Sequence, residues 1–188
     1  MKIPIIILFL FLASSLSAQT WTARMDSLAK VTECKYDLPH GICQAFALQE
    51  SNYNPYAVRA EGNYITAGGI YASNIRKQSI VFAKNHNYAP SILTEVVQRG
   101  QSWTMWQIMG QNLRDLGFDS PFFAGAMWLK KQFEYFATFI GKLLKKHNGN
   151  LSYAASEYNG GFGAIRKGNF RNAGYVKNIL RNLKQFAY

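Results

Sequence analysis

The chain is short of cysteine, of proline and above all of acid. Two cysteines in 188 residues are too few for a disulfide scaffold and lack the spacing of a zinc site. Five prolines and fifteen glycines, set against 48% apolar and 15% aromatic residues, exclude extensive disorder and collagen-like repeats. Only ten Asp and Glu oppose 21 Lys and Arg, a net charge of +11. That imbalance points to polyanionic partners: nucleic acid, anionic lipid or an acidic cell-wall polymer. No internal repeat is present. Past the first dozen residues no apolar run approaches the roughly twenty needed to span a bilayer. What remains is one domain with enough chain to bury a core.

The N-terminus follows a positive residue, Lys2, with an apolar run from Ile3 to Leu12 and a small-residue stretch ending Leu16-Ser17-Ala18. This is the pattern of a secretory signal peptide, with residues 1–18 removed and 19–188 forming the domain. A retained anchor is the alternative. Gln19 follows where lipidation would need a cysteine. The expected location is therefore periplasmic or secreted, with no stable membrane insertion after cleavage. Export permits a disulfide. Cys34 and Cys43 flank the turn-like Asp37-Leu38-Pro39-His40-Gly41, and a bridge there would clip two helices together; two buried free thiols are the alternative.

Helical periodicity dominates and strand signals are weak, which makes the domain mainly α. Helices are expected within residues 21–35, 41–51, 73–85, 105–116, 122–146, 151–158 and 175–186. The longest carries Phe133, Phe136, Ile140, Leu143 and Leu144 on one face and stops at Gly149. From Gly141 onward there are nine Lys or Arg and one acid, a net of +8. In an exported protein such a stretch suits an anionic polymer or is a solvated face. No helix-turn-helix or zinc-ligand pattern supports a nucleic-acid partner.

Among the few acids Glu50 stands out. It closes the apolar segment Phe46-Ala47-Leu48-Gln49-Glu50-Ser51. A carboxyl at the end of an apolar helix is partly desolvated, which favours its protonated form and suits a general acid. Ser51 is placed to hydrogen-bond and orient it. Glu157 reads as an exposed helix position.

Ala47-Leu48-Gln49-Glu50-Ser51-Asn52-Tyr53-Asn54-Pro55-Tyr56-Ala57-Val58 resembles the Glu-Ser motif of lytic transglycosylases. Ser102-Trp103-Thr104-Met105-Trp106-Gln107-Ile108-Met109-Gly110 is similar to their second block, Ala154-Ala155-Ser156-Glu157-Tyr158-Asn159-Gly160-Gly161 to the third, and Tyr175-Val176 to the fourth. The four blocks keep the family's order across residues 42–183. The wide gap between the first two is similar to the phage and prophage-like branch. Four positions of the second block depart from the pattern: Thr104 stands where glycine is usual, Met105-Trp106 replaces Leu-Met, and Gly110 replaces a common proline. Trp106 would pack under the groove, stack on a sugar, or simply fill the core.

The resemblance implies a lysozyme-like, goose-type single helical domain with a substrate cleft. It implies Glu50 as general acid and then base, with Ser51 orienting it. Gln107 and Asn159 would hydrogen-bond the glycan, and Tyr158 and Tyr175 would line the cleft. For the tyrosines half-buried packing is the alternative, and for Asn159 a role in the turn alone. The implied substrate is peptidoglycan glycan strands, cut between N-acetylmuramic acid and N-acetylglucosamine to give 1,6-anhydromuramyl ends, with no cofactor or metal. Secretion or conjugation machinery is a compatible partner.

A hydrolytic glycosidase needs a second carboxylate. Between Gly62 and Gln107, where goose-type lysozymes place theirs, only Glu95 is acidic. The scarcity favours a one-carboxyl mechanism. The alternatives are a hydrolytic muramidase using Glu61, Glu95 or Glu157, and a catalytically weak peptidoglycan-binding module.

Overall fold

The computed structural model describes residues 21–61, 70–85 and 91–186; the leader expected at 1–18 lies outside them. The domain is mainly helical, with eight α-helices and two small sheets among the described residues. In chain order the helices are α1 (Ala23–Lys35), α2 (Ile42–Ser51), α3 (Ile70–Asn85), α4 (Ile92–Arg99), α5 (Gly110–Asp115), α6 (Leu129–Lys146), α7 (Leu151–Gly160) and α8 (Ala173–Phe186). No described helix is long and apolar enough to cross a membrane.

Helix α6 supplies the centre of the core. Phe133, Phe136 and Ile140 are completely buried, Leu143 and Leu144 nearly so, and all five lie on the face read from the sequence. The expected helix over 122–146 nevertheless splits. Phe123–Met127 is a 3₁₀ turn, and Trp128, with ψ 120°, is extended before α6 starts. Helix α6 ends as expected: Gly149, at φ +79°, returns its N–H to the Leu144 carbonyl at 2.8 Å, which satisfies one of the helix's last acceptors.

Helix α2 begins without a cap of its own. Glu33, reaching across from α1, accepts from the N–H of Gly41 at 3.0 Å and of Cys43 at 2.9 Å. A buried carboxylate thus covers the positive end of α2. Gly41 has φ +79°, and a Cβ there would fall 2.7 Å from Cβ of Phe186 on α8. Only glycine meets both demands.

The expected bridge is absent, and both cysteines are free thiols. Cys34 lies on the exposed side of α1, whereas Cys43 is packed into the core beside Ile42 and Phe46. Burial pushes the Cys43 thiol well above its ordinary range, with the charge of Glu33 adding to it.

The strands were not expected from the sequence. A three-stranded antiparallel sheet is formed by β1 (Val58–Ala60), β2 (Gln101–Trp103) and β3 (Ile108–Met109); β4 (Ile165–Arg166) and β5 (Asn169–Phe170) make a separate hairpin. Helices α3 and α4 are inserted between β1 and β2, which accounts for the wide gap between the first two sequence blocks. Helix α4 was missed as well; Ser91 caps it by accepting from the N–H of Thr94 at 3.1 Å.

Instead of a helix over 105–116, residues 104–107 turn β2 into β3, and helix starts only at Gly110. Met105, Trp106 and Ile108 are all buried, so the apolar run carries no period that separates a tight turn from a helix. Gly110 is required where it stands, because a Cβ would fall 2.1 Å from the carbonyl oxygen of Gln98.

Candidate active site

Three parts of the chain converge on the C-terminal end of α2. Helix α8 lies along α2, and Asn182 donates to the Ala45 carbonyl at 3.3 Å. Helix α7 packs between α6 and α8. The β2–β3 turn is held by side chains on both sides: Ser51 Oγ donates to the Met105 carbonyl at 2.8 Å, and Gln132 Oε1 accepts from the Met105 N–H at 3.2 Å. Gln132 is fully buried on α6 and also donates to the Pro55 carbonyl at 2.9 Å. One side chain thereby ties the turn after α2 to the β2–β3 turn.

Between these parts lies a cleft of about 100 Å³ lined by Glu50, Arg59, Glu61, Ser102, Gln107, Ile108, Met109, Asn112, Phe139, Tyr158 and Asn159. Glu50 is half-buried in the last turn of α2. Phe46, one helical turn earlier, is completely buried and packs on the rings of Phe136, Tyr158 and Tyr175. This aromatic bed removes water from the carboxyl. Among the described residues the one hydrogen bond to the Glu50 carboxyl comes from Tyr175, whose hydroxyl donates to Oε1 at 2.5 Å.

Burial pushes the Glu50 carboxyl up to about 7 from the usual 4.5, against the smaller opposing effects of the Tyr175 hydroxyl and the Arg59 charge; Glu61 adds a small push upward. Near neutrality the group holds its proton for about half the time, as a general acid must. The hydroxyls of Tyr175 and Tyr158 are pushed well above their ordinary range, by burial first and by the Glu50 charge second. Both therefore stay protonated and act as donors.

Tyr158 uses its hydroxyl to hold the hairpin turn, donating to the Trp106 carbonyl at 2.6 Å. Trp106 is core, settling the alternatives read for it: fully buried, stacked on Phe136 at 4.8 Å, its indole N–H on the Cys43 carbonyl at 3.0 Å. Gln107 donates through Nε2 to the carbonyls of Ala57 at 3.2 Å and Thr104 at 3.0 Å, and Oε1 has no partner among the described residues. Asn159 is exposed at the rim and accepts from Asn172 Nδ2 at 2.9 Å.

Four of the six residues singled out, Glu50, Gln107, Tyr158 and Asn159, line the cleft; the fifth, Tyr175, is not in its lining as expected but reaches it through its hydrogen bond to Glu50. The sixth, Ser51, does not touch the Glu50 carboxyl. Its hydroxyl is spent on the backbone of Met105 and Asn54, so it positions Glu50 only by pinning the end of α2 to the sheet. The backbone around this end is contorted: Asn52, Tyr53, Thr104 and Gln107 all have positive φ, at 51°, 65°, 72° and 49°. For Thr104, β-branched and fully buried, this is a strained geometry that glycine would adopt freely.

The other acids divide cleanly. Glu95 is completely buried away from the cleft, clamped by Arg99 Nε at 2.7 Å and by Arg114 Nη2 at 2.8 Å. Glu157 is not exposed as expected. It is half-buried on the far side of α7, 2.6 Å from Lys146 Nζ and 2.7 Å from His147 Nε2. Burial pushes its carboxyl up, but the hydrogen bonds and charges of Lys146 and His147 prevail and hold it below the ordinary value. Among the described residues, Glu61 is the one other acid that lines the cleft with Glu50.

No protein-family model matches the chain, and searches of curated proteins and of solved structures return no match either. The chemistry of the site must therefore be argued from its own groups. A larger depression of about 510 Å³, lined by residues of α3 and α5 such as Phe82 and Arg114, contains none of the residues expected to act. Among the described residues no group of three or more His, Cys, Asp or Glu could hold a metal ion.

Arg59, Ser102, Met109 and Asn112 were not anticipated. Strand alternation puts Arg59 and Glu61 on one face of the sheet, and register puts Ser102 opposite Arg59 and Met109 opposite Ser102. A three-residue strand is too short for that alternation to be legible beforehand.

Proposed function

We propose that the chain is a peptidoglycan lytic transglycosylase with a lysozyme-like, goose-type domain, acting in the periplasm or outside the cell. The reading rests on the order of the four sequence blocks. The observation that carries it is Glu50: an acid held near neutrality by an apolar bed, facing a cleft and, among the described residues, with its carboxyl bonded only to the Tyr175 hydroxyl.

In this reading protonated Glu50 transfers its proton to the β-1,4 oxygen between N-acetylmuramic acid and N-acetylglucosamine as the C1–O bond breaks. Tyr175, already donating to Oε1, stabilises the carboxylate left behind. The substrate's acetamido group supports the developing charge at C1. The Glu50 carboxylate then takes the proton of the muramyl C6 hydroxyl, whose oxygen closes on C1. Glu50 is protonated again, the product carries a 1,6-anhydro ring, and no water is consumed.

In this reading Gln107 and Asn159 hydrogen-bond sugar substituents, through Oε1 and Nδ2. Glycan strands are the expected partner, and secretion or conjugation machinery would give wall cleavage a use.

The test is mass spectrometry of fragments released from sacculi by the wild type and by Glu50→Gln. Anhydro ends, one water lighter than reducing ends, should appear with the wild type and vanish in the variant. Reducing ends would make it a muramidase. Sedimentation with sacculi but no release would leave a binding module.

A further inference from the structure

Glu61 is placed for more than sheet stability. Its Oε1 receives three donors: Arg59 Nε at 2.8 Å, Arg59 Nη2 at 2.7 Å and Ser102 Oγ at 2.8 Å. Charge-assisted bonds of this length are among the stronger ones in proteins, and together they hold Oε1 in place. All three fall on one oxygen. Oε2 has no hydrogen-bond partner among the described residues, although a carboxylate offers about four acceptor positions. Glu61 lines the same cleft as Glu50, and its side chain keeps 24% of its exposure.

Two acceptors are left over on the sheet side of the cleft, Glu61 Oε2 and Gln107 Oε1, beside the donors of Arg59 and Asn112, and α7 offers the Asn159 amide. A ligand presenting hydroxyl or amide N–H groups toward the sheet matches that pattern. We propose that Glu61 is a second substrate-holding carboxylate of the cleft, its Oε1 tied down by Arg59 and Ser102 and its Oε2 accepting from a hydroxyl or amide N–H of the bound glycan. The assignment rests on the glycan-cleaving reading and adds a contact that reading does not need.

Removing a hydrogen bond to a charged acceptor should lower kcat/KM by about tenfold to a hundredfold. Steady-state kinetics on soluble glycan fragments, with the full chain, would compare wild type, Glu61→Gln, Ser102→Ala and Arg59→Gln. Glu61→Gln should show that loss with product masses unchanged. Ser102→Ala keeps the charge and frees one constraint, so its loss should be smaller, and a thermal melt of each variant excludes unfolding.

A pH profile separates this role from plain packing. The charged and titratable groups facing Glu50 are Tyr175 from α8, Tyr158 from α7, and Arg59 and Glu61 from the β1 side. Glu61→Gln removes a repulsion and unmasks Arg59, so the alkaline limb of the rate should move to lower pH. Arg59→Gln should move it to higher pH.

Glu61→Gln with wild-type kcat, KM and pH limbs, beside a dead Glu50→Gln, would overturn this assignment and leave the glycan reading standing. Reducing ends that Glu61→Gln alone abolishes would assign Oε2 to a water and also overturn it. A wild type that releases nothing would sink the glycan reading, and this assignment with it.

Discussion

Glu50 and Glu95 both sit in apolar surroundings on helices, and they could hardly be treated more differently. Glu95 is completely buried but meets two arginines, and Arg114 grips it with two parallel N–H···O bonds, at 2.9 Å from Nε and 2.8 Å from Nη2. The guanidinium of Arg114 in turn donates to the carbonyls of Phe118 and Ser120 and lies 4.3 Å from the centre of the Phe123 ring. Every polar group there is satisfied by a fixed partner, which makes the cluster a joint between α4 and α5. Glu50 is less buried and, among the described residues, has no cation within ion-pair distance, only the Tyr175 hydroxyl. That hydroxyl and the more distant Arg59 charge offset only part of the desolvation, so the carboxyl keeps its proton to near neutrality. Burial matched by cations does not raise a carboxyl; burial only partly compensated does.

Breaking the Glu95 joint should have the largest effect. Glu95→Ala leaves two guanidinium groups without their counter-charge and should cost about 3–5 kcal/mol of stability, measured by denaturant unfolding. Turnover per folded molecule should be unchanged, because the joint lies outside the cleft. On the other side of the comparison, Glu50→Gln should lower turnover by about 10³-fold, roughly 4 kcal/mol of barrier, without loss of stability.

The same contrast can be sharpened by pH. The Glu50 carboxyl titrates near 7 in the folded chain and near 4.5 when unfolded, so folding takes up a proton in that window. Its contribution is complete below about 4.5 and is lost as pH rises through 7. Stability of the wild type relative to Glu50→Gln should therefore fall by roughly 2 kcal/mol between pH 4.5 and 8, less than the full shift implies because the group is only half-buried. A difference that stays flat with pH would mean that solvent reaches the carboxyl freely. The smallest effect is expected at the strained turn beside the cleft. Thr104→Gly relieves the positive φ but loses a buried methyl group and adds freedom to the unfolded chain. The net change in stability should stay under about 1 kcal/mol, read from the shift in melting temperature.

Much of the helical framework was legible because amphipathic periodicity is a local property. The face of α6 and its stop at Gly149 are cases. The β2–β3 turn was not, since its buried residues carry no period and its geometry is imposed from outside by Ser51, Gln132 and Tyr158. The free cysteines have the same origin: sequence separation brings Cys34 and Cys43 close, but helix phase points one outward and the other into the core. Motif order singled out Glu50, Gln107, Tyr158 and Asn159, which share one cleft in the folded chain. The task of Ser51 was misread because its acceptor, the Met105 carbonyl, lies 54 positions away in the chain.

By itself the sequence determined composition, charge, the run of helices and the scarcity of acid that made Glu50 a candidate. These follow from residue identity and from contacts within a turn or two of the chain. Only the tertiary structure decided which acid meets which partner. Glu95 found Arg114, Glu157 found Lys146 and His147, Glu61 found Ser102, and Glu50 found Tyr175, 125 residues away. The physical reason is that a carboxyl's reactivity is set by desolvation and by charges within a few ångströms, and those distances exist only once the chain has folded.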